Sequence, residues 1–196
     1  MPTMLLGRRT PVTSLLLVAI AIGFVAQLAM GRGLIELYAN YGPAVRQGEY
    51  WRLVTSMFLH GGIIHLALNA WALYQLGSLF EILLGSSRLA GVYLVTGIAG
   101  SLASAFWSDV PSVGASGAIF GLLGALISFL LRRRENLTPQ AKALLGQLVM
   151  WAAINVVFGF SGAANIDNAA HMGGLVAGLA AGLLLREPER HRLAGV

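Results

Sequence analysis

The sequence contains no cysteine and few charged residues. Only 11% of its 196 residues are charged, whereas about a quarter are charged in an ordinary soluble domain. Without cysteine the chain can form no disulfide and can carry out no thiolate chemistry. The hydrophobic fraction is 57% and the mean hydropathy is +0.74. This composition excludes a typical soluble domain and indicates a protein whose solvent is largely lipid.

The few charges are clustered, and six long segments contain none. These segments are residues 10–31, 53–80, 89–108, 110–131, 143–166 and 168–185. A helix crosses the hydrocarbon core in about 17–25 residues, so each segment is long enough to do so. We therefore predict an all-α, polytopic membrane protein, a bundle of six transmembrane helices that forms one domain over residues 1–196. The predicted helices cover about 12–30, 62–83, 89–107, 115–131, 143–160 and 169–185.

Lysine and arginine are unevenly divided between the predicted connections. If the N-terminus is cytoplasmic, three arginines lie outside, Arg32, Arg46 and Arg52. Ten basic residues then lie inside: Arg8, Arg9, Arg88, Arg132, Arg133, Arg134, Lys142, Arg186, Arg190 and Arg192. This bias is the positive-inside pattern, and it predicts that both termini are cytoplasmic. Because topology accounts for the net charge of +5, and no basic face is interleaved with aromatic residues, nucleic-acid binding is not expected.

Two further predictions concern the first apolar run and the long connection that follows it. Arg8 and Arg9 precede an apolar run that is longer than the usual core of a signal peptide, so we expect an uncleaved first helix. The longest connection, residues 31–60, contains glycines and a proline that we expect to interrupt any regular helix. Its many apolar and aromatic residues suit a segment lying in the membrane interface.

Polar residues collect at the starts of the second, fourth and sixth predicted helices, all of which begin at the outer face. The second helix carries His65 and Asn69, the fourth carries Ser116, and the sixth carries His171. Polar groups at membrane depth are costly and are usually retained for function. We therefore predict one site, open to the outside, that combines a hydroxyl, two imidazoles and an amide.

Each of these residues alone also has a purely structural interpretation. A serine in a membrane helix often returns a hydrogen bond to its own backbone, and His65 and Asn69 could join helices by hydrogen bonds. Small residues favour the functional interpretation, because they let membrane helices approach closely. Such stripes consist of Gly117 and Gly121 on the fourth helix, and of Gly174, Gly178 and Gly182 on the sixth. A serine–histidine hydrogen bond of about 2.6–3.2 Å requires this close approach.

The combined motifs resemble the rhomboid family of intramembrane serine proteases, in its basic six-helix bacterial form. They are Tyr50-Trp51-Arg52, the run from His60 to Asn69 that includes His65, Gly114-Ala115-Ser116-Gly117, and Ala170-His171-Met172-Gly173-Gly174. The match runs in order from about residue 50 to residue 185.

The resemblance implies that Ser116 is the nucleophile and His171 its general base. It further implies that His65, Asn69 and the backbone N–H of Ser116 bind the oxyanion, with Gly114, Gly117, Phe120, His60 and Gly174 in supporting positions. The family often has tyrosine where this chain has Phe120, which keeps the ring surface and loses only the hydroxyl. Asp167, one helical turn before His171, could complete a triad, although the resemblance implies a dyad.

Other chemistries fit the sequence less well. The histidines do not form a His-Glu-x-x-His helix, and no carboxylate lies beside them at membrane depth, so we expect no metal and no cofactor. Asp109 and Asp167 fall in predicted loops, unlike the paired carboxylates of an aspartyl intramembrane protease. The expected partners are transmembrane protein substrates and the lipid bilayer of a bacterial cell membrane; the oligomeric state is not indicated. A non-catalytic rhomboid-like scaffold that binds membrane helices, and a small transporter or proton channel, stay open as alternatives.

Overall fold

The computed structural model describes residues 9–161 and 166–186, and within these ranges the chain is almost entirely helical. A single isolated bridge pairs Asn40 with Ser112, and two short 3-10 turns cover Ser56–Phe58 and Arg134–Asn136. The described part contains nine α-helices: α1 Pro11–Met30, α2 Arg32–Tyr38, α3 Gly42–Arg46, α4 Arg52–Thr55, α5 Ile63–Leu84, α6 Ser86–Trp107, α7 Ser116–Leu131, α8 Pro139–Phe160 and α9 Asn168–Leu184. The all-helical prediction is confirmed.

The six predicted long helices correspond to α1, α5, α6, α7, α8 and α9, with boundaries that differ by at most four residues. The largest difference is at α8, which begins at Pro139 rather than at about residue 143. The side chain of Thr138 accepts a hydrogen bond from the Ala141 backbone N–H, and proline occupies the first turn. Both features favour a helix N-terminus, so the helix starts before Lys142 and not after it.

Within residues 9–161 and 166–186, four helices are long and apolar enough to cross a membrane: α1, α5, α6 and α8. The other two are shorter, with 16 residues in α7 and 17 in α9, or about 24–26 Å of helix against a hydrocarbon core of about 30 Å. Every residue of α7 from Gly117 to Leu130 is buried, so protein rather than lipid surrounds this central helix. Six spans and cytoplasmic termini stay predictions.

The segment 31–60 is more regular than its sequence suggests. We expected its glycines and proline to prevent helices, yet α2, α3 and α4 all lie here. Pro43 stands in the first turn of α3, where its missing N–H costs nothing. Arg52 holds the segment together, because its guanidinium donates to the carbonyls of Glu36 and Ala39 and to the Glu49 carboxylate. The connection 31–60 is therefore folded, with short helices that the hydrogen bonds of Arg52 hold together.

A buried carboxylate joins α1 to α5 at the end of the bundle far from the polar cluster of His65, Asn69, Ser116 and His171. Glu81 on α5 is 4% exposed. It accepts hydrogen bonds from the backbone N–H groups of Val12 and Thr13 and from the hydroxyls of Thr13 and Ser86. The first-turn N–H groups of a helix have no partner within the helix, so Glu81 satisfies them and anchors the start of α1.

Candidate active site

Gly114 brings the start of α7 next to α5. Its φ of +131° lies in the region that favours glycine, and its N–H donates to the carbonyl of Ser56. A Cβ atom at this position would lie 2.8 Å from Cε1 and 3.0 Å from Nε2 of His65, and 3.8 Å from the hydroxyl oxygen of Ser116. The imidazole of His65 and the hydroxyl of Ser116 therefore flank one point, which only a residue without a side chain can occupy.

The hydrogen bonding of His65 fixes the orientation of its ring. The backbone N–H of Gly61 donates to Nδ1 at 3.2 Å. Since Nδ1 is the acceptor, a neutral His65 carries its proton on Nε2. This N–H donor therefore lies on the side of the ring that faces Gly114.

Asn69 lies one helical turn beyond His65 and is 5% exposed. Its side-chain nitrogen donates to the His65 backbone carbonyl at 2.9 Å, while its oxygen is buried without a hydrogen-bond partner. An amide nitrogen has two N–H groups. One of them therefore serves the helix backbone, and the second is the one that can serve a ligand.

His171 lies in the first turn of α9, which begins at Asn168. Asp167 caps the helix: one carboxylate oxygen accepts from the Ala170 N–H at 2.9 Å, and the other accepts from the Ser104 hydroxyl at 2.5 Å. The His171 ring stacks on Phe120 of α7, with centroids 4.2 Å apart and planes inclined by 15°. Because both oxygens of Asp167 are engaged by Ala170 and Ser104, the structure gives this carboxylate a capping role.

Glycines allow α6, α7 and α9 to approach backbone to backbone next to the polar cluster. A Cβ at Gly174 would overlap the carbonyl of Gly117, and one at Gly178 would overlap the carbonyl of Gly121. A Cβ at Gly100 of α6 would lie 2.7 Å from the carbonyl of Ala170, directly before His171. The close contact that the small-residue stripes predict between α7 and α9 is thus present.

The contacts between Ser116 and His171 are indirect. In the part of the chain that the structure describes, the Ser116 hydroxyl and the His171 ring are not hydrogen-bonded to each other. Their helices touch at Gly117 and Gly174, and Phe120, one turn after Ser116, holds the imidazole. Catalytic hydrogen bonds are often long in a free enzyme and shorten when substrate binds.

His60 is a second, fully buried imidazole behind His65. It is 0% exposed, and its ring meets the edge of the His65 ring, with centroids 5.3 Å apart at 62°. Burial lowers the pKa of His60 to about 4, so this residue is neutral at physiological pH. It acts as a packing surface for His65.

A small polar cavity lies beside Ser116. Its volume is about 20 Å³, which is enough for one water molecule. Its polar lining comes from Asn40, Ser56, Ser101, Ser112 and Ser116.

Sequence reasoning missed two residues next to this site. Gln27 on α1 hydrogen-bonds to the backbone of His60, and Ser104 on α6 holds the cap of α9. One signal was available for Gln27, because it is the first polar side chain after Ser14 in an otherwise apolar run. Ser104 carries no comparable signal, since serine is common in membrane helices.

Comparison with known proteins identifies the family. The model of the Rhomboid domain matches residues 47–188. The chain is 42% identical over 156 residues to Rhomboid protease GluP of Bacillus subtilis, a match that covers 80% of this chain and 30% of that protein. It is 38% identical over 144 residues to RHOMBOID-like protein 5 of Arabidopsis thaliana, covering 72% of this chain and 46% of that protein. A third relative, RHOMBOID-like protein 6, mitochondrial, of the same plant is 42% identical over 152 residues, covering 76% and 48%.

These matches show that the chain belongs to the rhomboid family. Its apolar helices and its family together make it a multi-pass membrane protein. The chain spans between about a third and a half of the length of these curated relatives.

Proposed function

We propose that this chain is an intramembrane serine endopeptidase, which hydrolyses peptide bonds in or near the transmembrane segments of other membrane proteins. One observation carries the proposal: α5, α7 and α9 begin at a common place, where His65 and Ser116 flank Gly114 and His171 stacks on Phe120. Membership of a family that includes a named protease supports it.

In the proposed mechanism Ser116 is the nucleophile and His171 the general base. His171 removes the proton from the Ser116 hydroxyl as the oxygen attacks the scissile carbonyl carbon, and it then gives this proton to the leaving amine. Water then attacks the acyl carbon while His171 takes its proton, and His171 returns a proton to the Ser116 oxygen as the ester bond breaks and the carboxylic acid product leaves. The ring of Phe120 keeps the imidazole in one plane while its proton is exchanged.

The oxyanion of the tetrahedral intermediate requires hydrogen-bond donors that are already in place. Three are proposed: Nε2–H of His65, the side-chain N–H of Asn69 and the backbone N–H of Ser116. The last belongs to the first turn of α7, where N–H groups have no partner within the helix. His65 is the best supported of the side chains, because its N–H already faces Gly114.

The proposed setting is the plasma membrane of a bacterium, as the Bacillus relative suggests. Cleavage inside the bilayer needs water at the nucleophile, and the cavity next to Ser116 has room for one molecule. The proposed substrates are other membrane proteins, cleaved in or near their transmembrane segments.

Incubation of the purified protein with a model transmembrane substrate tests this function. Wild type is expected to cleave, with or without a chelator, whereas Ser116→Ala and His171→Ala are expected to be inactive although folded. The double variant should be no worse than either single variant, because the two residues act as a unit. Substrate binding without any cleavage by wild type would instead support the non-catalytic scaffold.

A further inference from the structure

The side chain of Gln27 on α1 makes two hydrogen bonds to the backbone of a single residue, His60. Its side-chain nitrogen donates to the His60 carbonyl at 2.6 Å, and its side-chain oxygen accepts from the His60 N–H at 3.1 Å. A primary amide can donate and accept at once, so this pair of bonds fixes both the position and the rotation of the local backbone. An amide in an apolar helix is costly unless it is used.

The same stretch of backbone holds His65. The carbonyl of His60 and the N–H of Gly61 are the two ends of one planar peptide group. Gln27 binds the carbonyl end, and Nδ1 of His65 accepts from the N–H end at 3.2 Å. Two side chains from different helices therefore hold opposite sides of one rigid unit.

This arrangement forms a continuous hydrogen-bond chain from α1 to the candidate oxyanion site. Hydrogen bonds in such a chain polarise one another, so donation from Gln27 strengthens the N–H of Gly61 as a donor to His65. Donation to Nδ1 keeps the proton of His65 on Nε2. Nε2 is the atom 3.0 Å from the Cβ position of Gly114.

We infer that Gln27 is a positioning residue for His65: through the His60–Gly61 peptide it selects the imidazole tautomer and ring orientation that place Nε2–H toward Ser116. The role of His65 as an oxyanion donor rests on the proposed function. The control of its tautomer by Gln27 does not, and a direct measurement can test it separately.

A double-mutant cycle tests whether Gln27 affects kcat through His65. Gln27→Met keeps the length of the side chain and removes its hydrogen bonds. We expect it to lower kcat about 10-fold and to leave KM within about 2-fold, because loss of a whole oxyanion donor costs about 10²–10³. Combined with His65→Ala, it should lower kcat by less than about 2-fold further, since the two changes remove one interaction.

Thr13→Val is the matched control for Gln27→Met. Thr13 also lies on α1 and is buried at 1% exposure, and its hydroxyl also hydrogen-bonds to α5, at Glu81. It has no link to His65. General damage from loosening α1 would lower kcat in both variants, or would persist when His65 is already alanine, and either result would overturn the inference.

Nitrogen-15 NMR of the histidines in lipid nanodiscs tests the tautomer directly, with His65→Ala used for assignment. Wild type should show His65 with an unprotonated Nδ1 and a protonated Nε2, and Gln27→Met should show the second tautomer as well. A protonated Nδ1 in wild type, or an unchanged tautomer in Gln27→Met, contradicts the inference. A changed tautomer with unchanged kcat would contradict its catalytic part. If wild type cleaves nothing, the proposed function fails, while the NMR result still decides what Gln27 does to His65.

Discussion

The ring of Phe120 stacks on the ring of His171, with centroids 4.2 Å apart and planes inclined by 15°. Phe120 is one helical turn after Ser116, so the same helix supplies the candidate nucleophile and the surface that orients the candidate base. This contact links α7 and α9 at the point where proton transfer is proposed.

The first prediction concerns this stacking. Phe120→Leu should lower kcat about 2- to 10-fold, because an aromatic pair contributes about 0.5–1.5 kcal/mol beyond its buried area. Phe120→Tyr preserves the ring and should stay within about 2-fold of wild type. Steady-state cleavage of a transmembrane substrate measures both. Equal rates for the leucine variant and wild type would remove the orienting role of Phe120.

The second prediction concerns Gly114. Gly114→Ala should abolish most activity, because its Cβ would lie 2.8 Å from the His65 ring and its φ of +131° disfavours any other residue. Gly91→Ala is the matched control: Gly91 lies in α6, with no atom within 4 Å of its Cβ position. We expect the control to keep wild-type activity and thermal stability. A fully active Gly114→Ala would mean that His65 and Ser116 need not flank this point.

The third prediction separates the two side-chain oxyanion donors. His65→Ala should lower kcat by up to about 10²-fold, and Asn69→Ala by less, since two of the three proposed oxyanion donors remain in each variant. The structure gives a reason for the larger effect of His65→Ala. Asn69 already donates one N–H to the backbone carbonyl of His65, whereas the Nε2 side of His65 faces Gly114. Wild-type turnover in both variants would leave Ser116 and His171 without these partners.

The fourth prediction concerns how a substrate helix reaches the site. The rings of Trp71 on α5 and Trp151 on α8 lie 5.0 Å apart, and in α8 only Leu148 and Gly159 are buried. An aromatic pair thus joins α5 to a loosely packed helix, and opening of such a contact commonly limits turnover. We expect Trp151→Ala to raise cleavage of a transmembrane substrate several-fold. Phe158, a second bulky residue of α8, is 52% exposed, and its alanine variant should have a smaller effect.

Because the sequence contains no cysteine, a cross-link between two introduced cysteines can test the same contact in the opposite direction, by holding it closed. Trp71→Cys combined with Trp151→Cys can be joined by a thiol-specific bifunctional reagent that a reductant cleaves. The cross-link should lower cleavage of a transmembrane substrate, and reduction should restore it. Trp107→Ala, at an 85% exposed position, is the control for loss of a tryptophan from the surface. Unchanged cleavage under the cross-link would place the entrance elsewhere.

The sequence predicted the long helices well because their signal is strong. Charge-free runs of about 20 residues have few alternatives to a helix in lipid, and the observed boundaries of the six helices lie within four residues of the predicted ones. The error at α8 came from placing Lys142 outside the helix, when the cap at Thr138 sets the boundary.

The connection 31–60 shows what composition does not reveal. Glycine and proline weaken a helix interior, but at helix ends they are well tolerated. The short helices in this connection depend on tertiary contacts, above all the hydrogen bonds of Arg52 to the Glu36 and Ala39 carbonyls. Such contacts join residues 13 and 16 positions apart and have no periodic signature.

Within the candidate site, the sequence indicated the chemical groups but not the contacts that orient them. His65, Ser116 and His171 were recognisable as polar residues at the starts of apolar helices. The hydrogen bonds of Gln27 to the His60 backbone join a side chain to main-chain atoms 33 residues away. Because nearly every residue has the same backbone groups, no sequence pattern marks such a partner. Their use becomes visible only in three dimensions.

The central claim is that Ser116 is a nucleophile activated by His171. Its most direct measurement is the reaction of the purified protein with a fluorophosphonate, followed by mass spectrometry to locate the modified residue. We predict one phosphonyl group on Ser116 in wild type, none in Ser116→Ala, and strongly slowed labelling in folded His171→Ala. Labelling of a different residue, or substrate cleavage by a folded Ser116→Ala variant, would contradict it.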